Sequence, residues 1–250
     1  MLGGDVVVGS GGKGANQAVA AARLGLQVGL VGAVGVDAYG DQLVAALTGE
    51  GVDVAAVRRS DFPTGVALIV VDDAGENTIV VAPGANADVS LDGVDLRAPD
   101  AVLCQLEIPL AVVERAAGDT AGLFCLNASP MADLPPSLLD RCDLVVVNQS
   151  EYDAAPAGLD SCDLLALTLG ADGAVLLRHG REVARSASPR VREVDATGAG
   201  DAFAAALVHG LVTGVPDEVA LRRACRAGAV AVSRPGAQSS LPRIEELQHE

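Results

Sequence analysis

The chain has 250 residues, half of them apolar and 20% charged, and its formal net charge at pH 7 is −16. This length fits one large α/β domain, or one domain with a small lid, and the apolar residues suffice for a sizeable core. The excess of negative charge argues against a nucleic acid or an anionic membrane as a partner.

Composition also indicates the kind of core and the compartment. With three Phe, two Tyr and no Trp, the core must consist mainly of Ala, Val and Leu. The apolar stretch at residues 18–36 is interrupted by Arg23 and Gln27, which favours a helix and a buried strand over a membrane span. The five cysteines lie far apart in apolar runs and predict buried reduced thiols of a cytoplasmic protein. They are Cys104, Cys125, Cys142, Cys162 and Cys225.

The first motif along the chain is Gly-Gly-Lys-Gly-Ala-Asn-Gln-Ala at residues 11–18. Lys13 is the only lysine, against sixteen arginines. A lysine between glycines indicates a compact ammonium where the backbone approaches a ligand closely. The alternative is a glycine turn with one exposed charge. The spacer and the terminal Lys-Ser/Thr of a Walker A motif are absent.

Short Val/Leu-rich runs alternate with Ala-rich helical runs along the chain. The strand-like runs are residues 28–34, 101–105, 123–126, 144–147 and 164–168. Buried strands separated by helices predict a parallel sheet that is covered on both faces. Residues 65–72 and 77–81, joined by Asp-Ala-Gly-Glu, instead predict an antiparallel hairpin, which would form a lid together with residues 5–8.

The last motif is Asp-Ala-Thr-Gly-Ala-Gly-Asp at residues 195–201, between a β-like run at 182–194 and a helical run at 202–211. A small-residue turn at a helix start leaves backbone N–H groups free, and the helix dipole helps them to bind an anion. Phosphate would repel the carboxylate of Asp201, so this residue is better suited to take a proton from an attacking hydroxyl. The alternative is that Asp201 only caps the helix.

Together the two motifs resemble the two signatures of the ribokinase family of carbohydrate kinases, also called the phosphofructokinase-B type. The N-terminal signature continues to Gly25 and the C-terminal one to Phe203. Further segments that match the family are residues 64–67, 75–81, 83–86, 105–109, 148–151, 168–170 and 236–240. The resemblance implies a single α/β domain over residues 1–250, a three-layer sandwich with a mostly parallel central sheet. Residues 1–10 and 64–83 would contribute a small antiparallel β lid.

The resemblance also implies an activity, transfer of the γ-phosphoryl group of ATP to the 5-hydroxyl of D-ribose, and a set of site residues. Asp201 would be the base and the N–H groups of Gly198, Ala199 and Gly200 the anion hole. The sugar site would include Gly12, Lys13, Asn16, Glu107 and Asp201, and the nucleotide site Asn148, Thr168, Gly170 and Gly200. Glu151 would act near Mg²⁺, through water. K⁺ would be held by Asp195, Thr197, Ala231, Gly236 and Ser240.

The resemblance further implies a homodimer formed through the lid. The sequence differs from the family at its start. Family members open with a core strand that ends in an Asn-x-Asp motif for sugar hydroxyls, and this sequence begins with residues like the middle of the first lid segment. The expectation is a truncated chain with an exposed sheet edge beside the sugar pocket and weak sugar binding. The segment from 151 to 164 is shorter than the helical segment usual in the family. Cys225 stands where family members commonly have an Asn near the adenine base.

Other functions stay open from the sequence alone. The same fold acts on other alcohols, so another sugar or a nucleoside is one alternative substrate. A weakly active or inactive relative that only binds nucleotide is a second alternative, and a purely structural domain is a third. A kinase assay separates the first alternative from the other two.

Overall fold

The computed structural model describes residues 6–71, 77–154, 158–159 and 162–247. The helices are α1 (Lys13–Arg23), α2 (Ala38–Gly49), α3 (Leu110–Asp119), α4 (Pro136–Leu139), α5 (Gln149–Ala154), α6 (Ala199–Val212), α7 (Asp217–Val232) and α8 (Ala237–Ser240). The strands are β1 (Gly32–Gly35), β2 (Val57–Ser60), β3 (Val66–Val71), β4 (Asn77–Ala82), β5 (Ala101–Gln105), β6 (Leu123–Asn127), β7 (Leu144–Asn148), β8 (Leu165–Thr168), β9 (Ala174–Arg178) and β10 (Arg181–Ser186). Within the described ranges, no helix is both long enough and apolar enough to cross a bilayer.

The central sheet has six strands in the order β10-β9-β8-β7-β6-β5. Strands β5 to β8 run parallel, whereas β9 is antiparallel to both β8 and β10. Side chains alternate between two cores: on β7, Leu144 and Val146 join one core, and Val145 and Val147 join the other. Since helices cover both faces, the sheet is the middle layer of an α/β sandwich, and the predicted fold class is confirmed.

The core is built from small and aliphatic side chains, as the composition predicts. Phe124 is the largest fully buried side chain, and most of the other buried apolar residues are Ala, Val and Leu. Small residues let the helices approach closely: a Cβ on Gly210 of α6 would lie 2.5 Å from the Cβ of Ala220 on α7. The five cysteines are all buried, and none forms a disulfide.

The predicted hairpin is a separate two-stranded antiparallel sheet, β3–β4, in which Leu68 lies opposite Val80. Its turn, predicted at residues 73–76, lies outside the described residues, as do residues 1–5. Residues 6–10 were expected to add to this lid, but they form neither helix nor strand. Val6 and Val7 are almost fully exposed, so the described part of the lid is the hairpin alone.

The strand predicted at 28–34 is shorter and lies in a different sheet. Only Gly32–Gly35 forms β1, which pairs in parallel with β2 rather than with the central sheet. Within the described residues β5 therefore pairs only with β6, and it forms one edge of the central sheet.

Two predicted boundaries differ around the last motif. The β-like run at 182–194 is a strand only to Ser186, because Pro189 follows and proline has no N–H to donate to a ladder. Helix α6 begins at Ala199 instead of residue 202, because Gly198 takes the left-handed conformation (φ 80°) that lets the chain turn directly into the helix. The motif residues Ala199 to Asp201 therefore form the first turn of α6.

Candidate active site

The candidate site lies where the four parallel strands end. Their last residues are all polar: Gln105 on β5, Asn127 on β6, Asn148 on β7 and Thr168 on β8. In open α/β sheets, ligands bind outside the carboxyl ends of the strands. The N-terminal ends of α1 and α6 meet the sheet at this same edge, because side chains at both starts hydrogen-bond to one another and to Asn127.

Helix α1 brings the first motif to this edge. Gly12 precedes the helix with a φ of 90°, a conformation that favours glycine. The backbone N–H of Lys13 donates to Oε2 of Glu107 at 2.9 Å, which joins α1 to the segment after β5. The predicted sugar residues Gly12, Lys13 and Glu107 are thus neighbours. Within the described residues, the Lys13 ammonium has no hydrogen-bond or ion-pair partner of its own, which leaves it available to a ligand.

Asp201 is the third residue of α6, and its side chain is only 5% exposed. Its Oδ2 accepts a hydrogen bond from Nδ2 of Asn16 at 2.8 Å, and its Oδ1 accepts one from Nε2 of Gln17 at 2.9 Å. The helix cap is Gly198, and no side chain caps α6. Asp201 is therefore not the N-cap that the simpler alternative requires; its carboxylate faces α1.

The surroundings of Asp201 suit a proton acceptor. Burial raises the pKa of this carboxyl above its ordinary value, and the ammonium of Lys13 and the hydrogen bonds from Asn16 and Gln17 partly oppose that rise. The nearby carboxylate of Glu107 raises the pKa further. A carboxylate with a raised pKa accepts a proton more readily than an exposed one, which favours general-base catalysis near neutral pH.

Asn16 has one polar atom left over. Its Nδ2 is used by Asp201, whereas its Oδ1 is buried and has no hydrogen-bond partner among the described residues. Buried polar atoms are normally paired, so an unpaired acceptor here indicates a missing donor. A ligand with two hydroxyls could donate one hydrogen to this oxygen and another to Asp201, so the pair fits a polyhydroxy ligand.

The turn before α6 provides free donors for an anion, with one change from the prediction. The N–H of Ala199, predicted to be part of the anion hole, donates back to the carbonyl of Ala196 at 3.2 Å. Among the described residues, the N–H groups of Gly198, Gly200 and Asp201 have no such partner. Three free N–H groups at a helix start suit the binding of an anion, and by this geometry the free set is Gly198, Gly200 and Asp201 rather than Gly198, Ala199 and Gly200.

The predicted cation residues surround that turn. Asp195 accepts hydrogen bonds from the N–H groups of Thr197 (2.9 Å) and Gly236 (2.8 Å). Partial burial raises the pKa of Asp195, but these hydrogen bonds outweigh it, and the net shift is downward, so the carboxylate stays ionised. Ser240 is fully buried and its hydroxyl donates to the carbonyl of Ala237 at 2.8 Å.

Ala231, the fifth predicted cation residue, lies at the end of α7. Its carbonyl already accepts the N–H of Arg234 at 3.1 Å, and the next carbonyl, of Val232, accepts the N–H of Asp195. The donor set is thus carboxylate, carbonyl and hydroxyl oxygen, the chemistry that a hard cation requires. Across the described residues, no three His, Cys, Asp or Glu side chains form a metal-binding group.

A cleft of about 320 Å³ opens at the ends of β7 and β8. It contains the predicted nucleotide residues Asn148, Thr168 and Gly170, and it is lined by those three together with Gln149, Ser150, Leu169 and Asp172. Asn148 and Glu151 also form a capping box at the start of α5, in which each side chain accepts the other's backbone N–H, at 2.8 and 2.9 Å. Glu151 therefore has a visible structural role, and its Oε1 is the oxygen left for bound water.

Three residues of the site carried no predicted role: Gln17, Gln105 and Asn127. Nε2 of Gln17 donates to Oδ1 of Asn127 at 3.0 Å as well as to Asp201, and Nε2 of Gln105 donates to Oε1 of Gln17. Gln17 belongs to the first motif, and the only signal for Gln105 and Asn127 in the sequence is a polar residue at the end of a buried strand run. The pairing of these two residues with Gln17 on α1 depends on tertiary contacts between residues 88 and 110 positions apart.

This chain is similar in both sequence and fold to known proteins. The model of the pfkB family carbohydrate kinases matches residues 1–244. A ribokinase of Schizosaccharomyces pombe is 34% identical, over 96% of this chain and 85% of that protein. A deoxyribokinase of Salmonella typhi is also 34% identical, over 96% and 87%. The structure of Arabidopsis thaliana ribokinase complexed with ribose and ATP is 30% identical, covers 95% of this chain and 86% of that one, and has a TM-score of 0.86. This chain therefore belongs to the pfkB family of carbohydrate kinases.

Proposed function

We propose that this chain transfers the γ-phosphoryl group of ATP to the 5-hydroxyl of D-ribose. The observation that carries the proposal is the buried carboxylate of Asp201 beside the free N–H groups at the start of α6. The names of the relatives, a ribokinase and a deoxyribokinase, and the ribose and ATP bound in the Arabidopsis enzyme support this substrate class.

In the proposed reaction, the acceptor hydroxyl donates its hydrogen bond to Asp201, which takes its proton, and a second hydroxyl of the sugar donates to Oδ1 of Asn16. The hydroxyl oxygen forms a bond to the γ-phosphorus as the bond between that phosphorus and the leaving ADP oxygen breaks. The N–H groups of Gly198 and Gly200 bind the transferring group, where preorganised donors stabilise developing charge. Lys13 supplies one more positive charge in a strongly acidic protein.

Two ions complete the proposed site. Glu151 would hold Mg²⁺ through water in the cleft at β7 and β8, and such an ion neutralises phosphate charge during transfer. The oxygens of Asp195, Thr197, Ala231, Gly236 and Ser240 would hold K⁺ beside the anion-binding turn. The protein's own contribution there is fixed geometry, because Asp195 ties the loop at Gly236 to the start of α6.

The substrate is tested by measuring ADP release from the purified chain with ATP and Mg²⁺. Ribose, 2-deoxyribose, fructose and adenosine are compared as acceptors, and ribose is expected to give the highest kcat/KM. A higher value for another acceptor would replace ribose and keep the kinase. Nucleotide binding without turnover on any of the four acceptors would instead support the inactive-relative alternative.

The ion site makes a separate prediction. Replacing K⁺ with Na⁺, and then with tetramethylammonium, is expected to lower kcat stepwise, because a carbonyl-lined site favours the larger and more easily dehydrated ion over Na⁺ and excludes an organic cation. The measurement is kcat at constant ionic strength. Equal rates in all three salts would remove the monovalent ion from the mechanism.

A homodimer through the lid is the proposed assembly. Both faces of the hairpin are apolar and exposed: Leu68 (63%) and Val80 (60%) lie opposite each other on one face, and Ile69 (45%) and Val81 (58%) lie on the other. A lid that closes over a sugar covers one face only, so the second face needs another apolar surface. Light scattering is expected to give the mass of a dimer for the wild-type chain and of a monomer for Leu68→Glu. A monomeric wild type would contradict this proposal.

The proposed compartment is the cytoplasm. The five buried cysteines, none of which forms a disulfide, support it, since reduced cysteines persist in that environment.

A further inference from the structure

Gln17 lies between the two motifs of the site and is 2% exposed. Both hydrogens of its Nε2 are used: one is donated to Oδ1 of Asp201 at 2.9 Å and the other to Oδ1 of Asn127 at 3.0 Å. Its Oε1 accepts from Nε2 of Gln105. Its two donors and its acceptor are thus all paired within the protein, so this side chain has no free donor for a ligand.

The orientation of the Gln17 amide is set from β5. Nε2 of Gln105 donates to the backbone carbonyl of Leu103 at 3.2 Å and also to Oε1 of Gln17. A carbonyl can only accept a hydrogen bond, so Gln105 must turn its NH₂ group in this direction. Gln17 must then offer its oxygen to Gln105 and its own NH₂ group to Asp201.

The same orientation is set independently from β6 and β7. Nδ2 of Asn127 donates to the backbone carbonyl of Val146 at 3.1 Å, which leaves Oδ1 of Asn127 to accept from Gln17. Two backbone carbonyls, on different strands, therefore impose one direction on the hydrogen bonds that end at Asp201. A reversed Gln17 amide would place its oxygen against a carboxylate and against Oδ1 of Asn127.

Asn16 differs from Gln17 in this respect. It also donates to Asp201, but its Oδ1 has no partner among the described residues. Its amide can rotate without breaking a second hydrogen bond, and it has an atom left for substrate. Of these two neighbours on α1, Gln17 has every polar atom paired within the protein, whereas Asn16 keeps one unpaired acceptor.

We propose that Gln17 is a positioning residue, which holds the carboxylate of Asp201 charged and in one orientation, and that Gln105 and Asn127 fix the direction of its amide. This inference rests on Asp201 being the base of the proposed function. The effect of Gln17 on the reaction passes through the carboxylate and not through contact with sugar or nucleotide.

Two other charged groups act on Asp201, and each comes from a different element. Helix α1 brings the ammonium of Lys13, and the segment after β5 brings the carboxylate of Glu107. Among the described residues, strand β6 brings the neutral Asn127. Helix α7 approaches this end of α6 at Gly228, where an ideal Cβ would lie 3.5 Å from the carbonyl oxygen of Ala199. Substitution of Gln17 leaves all of these groups in place, so a change in the titration of Asp201 reports the lost hydrogen bond.

The experiment is the pH profile of kcat/KM for ribose with Gln17→Met, which keeps the length of the side chain and removes its donors. Loss of a hydrogen bond to a charged carboxylate raises the pKa of that group. The acidic limb is therefore expected to move to higher pH by about one to two units, with a rate loss of roughly tenfold or more below the new limb. Gln42→Met, on the exposed face of α2, is the matched control and leaves the profile unchanged.

Two further variants separate the possible failures. Gln105→Met acts one step further away and is expected to shift the limb in the same direction by less; it also decides the question if Gln17→Met does not fold. In an Asp201→Asn background, Gln17→Met is expected to cause no additional loss of kcat. An unmoved acidic limb in Gln17→Met would overturn the positioning role, whatever the rate. High activity of Asp201→Asn alone would instead overturn the base itself.

Discussion

Replacing Asp201 with asparagine is expected to lower kcat for phosphoryl transfer to ribose by about 10²–10⁴-fold, the usual contribution of a general base. Asparagine keeps the size of the side chain and can still accept a hydrogen bond from Gln17, but it cannot take a proton. Nucleotide affinity is expected to stay close to that of the wild type, because the cleft at β7 and β8 does not include residue 201. Single-turnover rates and nucleotide titrations measure the two quantities separately.

The same substitution is expected to lower the rate but to raise the stability of the fold at neutral pH. Because the pKa of Asp201 is raised in the folded chain, folding favours the protonated carboxyl, and the ionised form destabilises the fold. That destabilisation is absent below the pKa of the unfolded chain, near 4, and complete above the folded pKa. Asp201→Asn is therefore expected to melt at a higher temperature than the wild type at pH 7, and this difference should disappear as the pH falls towards 4.

These two results together distinguish a catalytic residue from a structural one. A variant that is slower and also less stable at pH 7 would indicate that Asp201 mainly holds α1 against α6. A variant that retains most of the wild-type turnover would show that another group takes the proton. Asn16 can accommodate the new side-chain amide at position 201 in this variant, because its own side-chain amide can flip so that the unpaired Oδ1 accepts the new N–H.

The fold could be predicted from the sequence wherever the signal was local. The runs at 101–105 and 144–147 are continuous apolar segments of strand length, and they form β5 and β7 within one residue. Buried on both faces, such strands need no alternation, so their pattern is unambiguous. The run at 28–34 was harder to place, because a short apolar segment does not show which sheet it joins, and β1 pairs with β2 outside the central sheet.

The candidate site was predictable only in part, for a similar reason. The two glycine-rich motifs are local, and they mark Lys13 and Asp201 directly. The hydrogen bonds between Gln17, Asn127 and Gln105 depend on the crossing of α1 over the ends of β5 and β6, which no local pattern records. The segment at 148–151 shows the converse difficulty. Its Asn and Glu at this spacing match a capping box as well as a metal and nucleotide site, and the structure shows the capping box.

The second large effect is expected at Gly198, the residue that turns the chain into α6. Its φ of 80° lies in the left-handed region, which disfavours any residue with a Cβ by roughly 1–2 kcal/mol. An ideal Cβ there would lie 3.2 Å from the carbonyl oxygen of Ala237, a backbone atom that cannot swing away as a side chain can. Gly198→Ala must therefore move the turn, the loop of α8, or both.

Movement of this turn displaces the free N–H groups of Gly198, Gly200 and Asp201 from the phosphoryl group. Loss of one such donor typically lowers kcat by about 10²–10³-fold, and Gly198→Ala is expected to lose at least that much, with a fall of a few degrees in melting temperature. The control is Gly49→Ala in the exposed last turn of α2, where a Cβ meets open space. It is expected to retain both rate and stability.

The displacement should also weaken the response to K⁺, because Ala237 belongs to the loop that carries Gly236 and Ser240. A Gly198→Ala variant with reduced kcat but an unchanged dependence on K⁺ would show that the anion turn and the cation loop are independent. A variant with wild-type kcat would show that the N–H groups of this turn do not bind the transferring phosphoryl group. The packing of Gly198 against Ala237 is thus the contact through which the ion site is expected to set the geometry of the anion site.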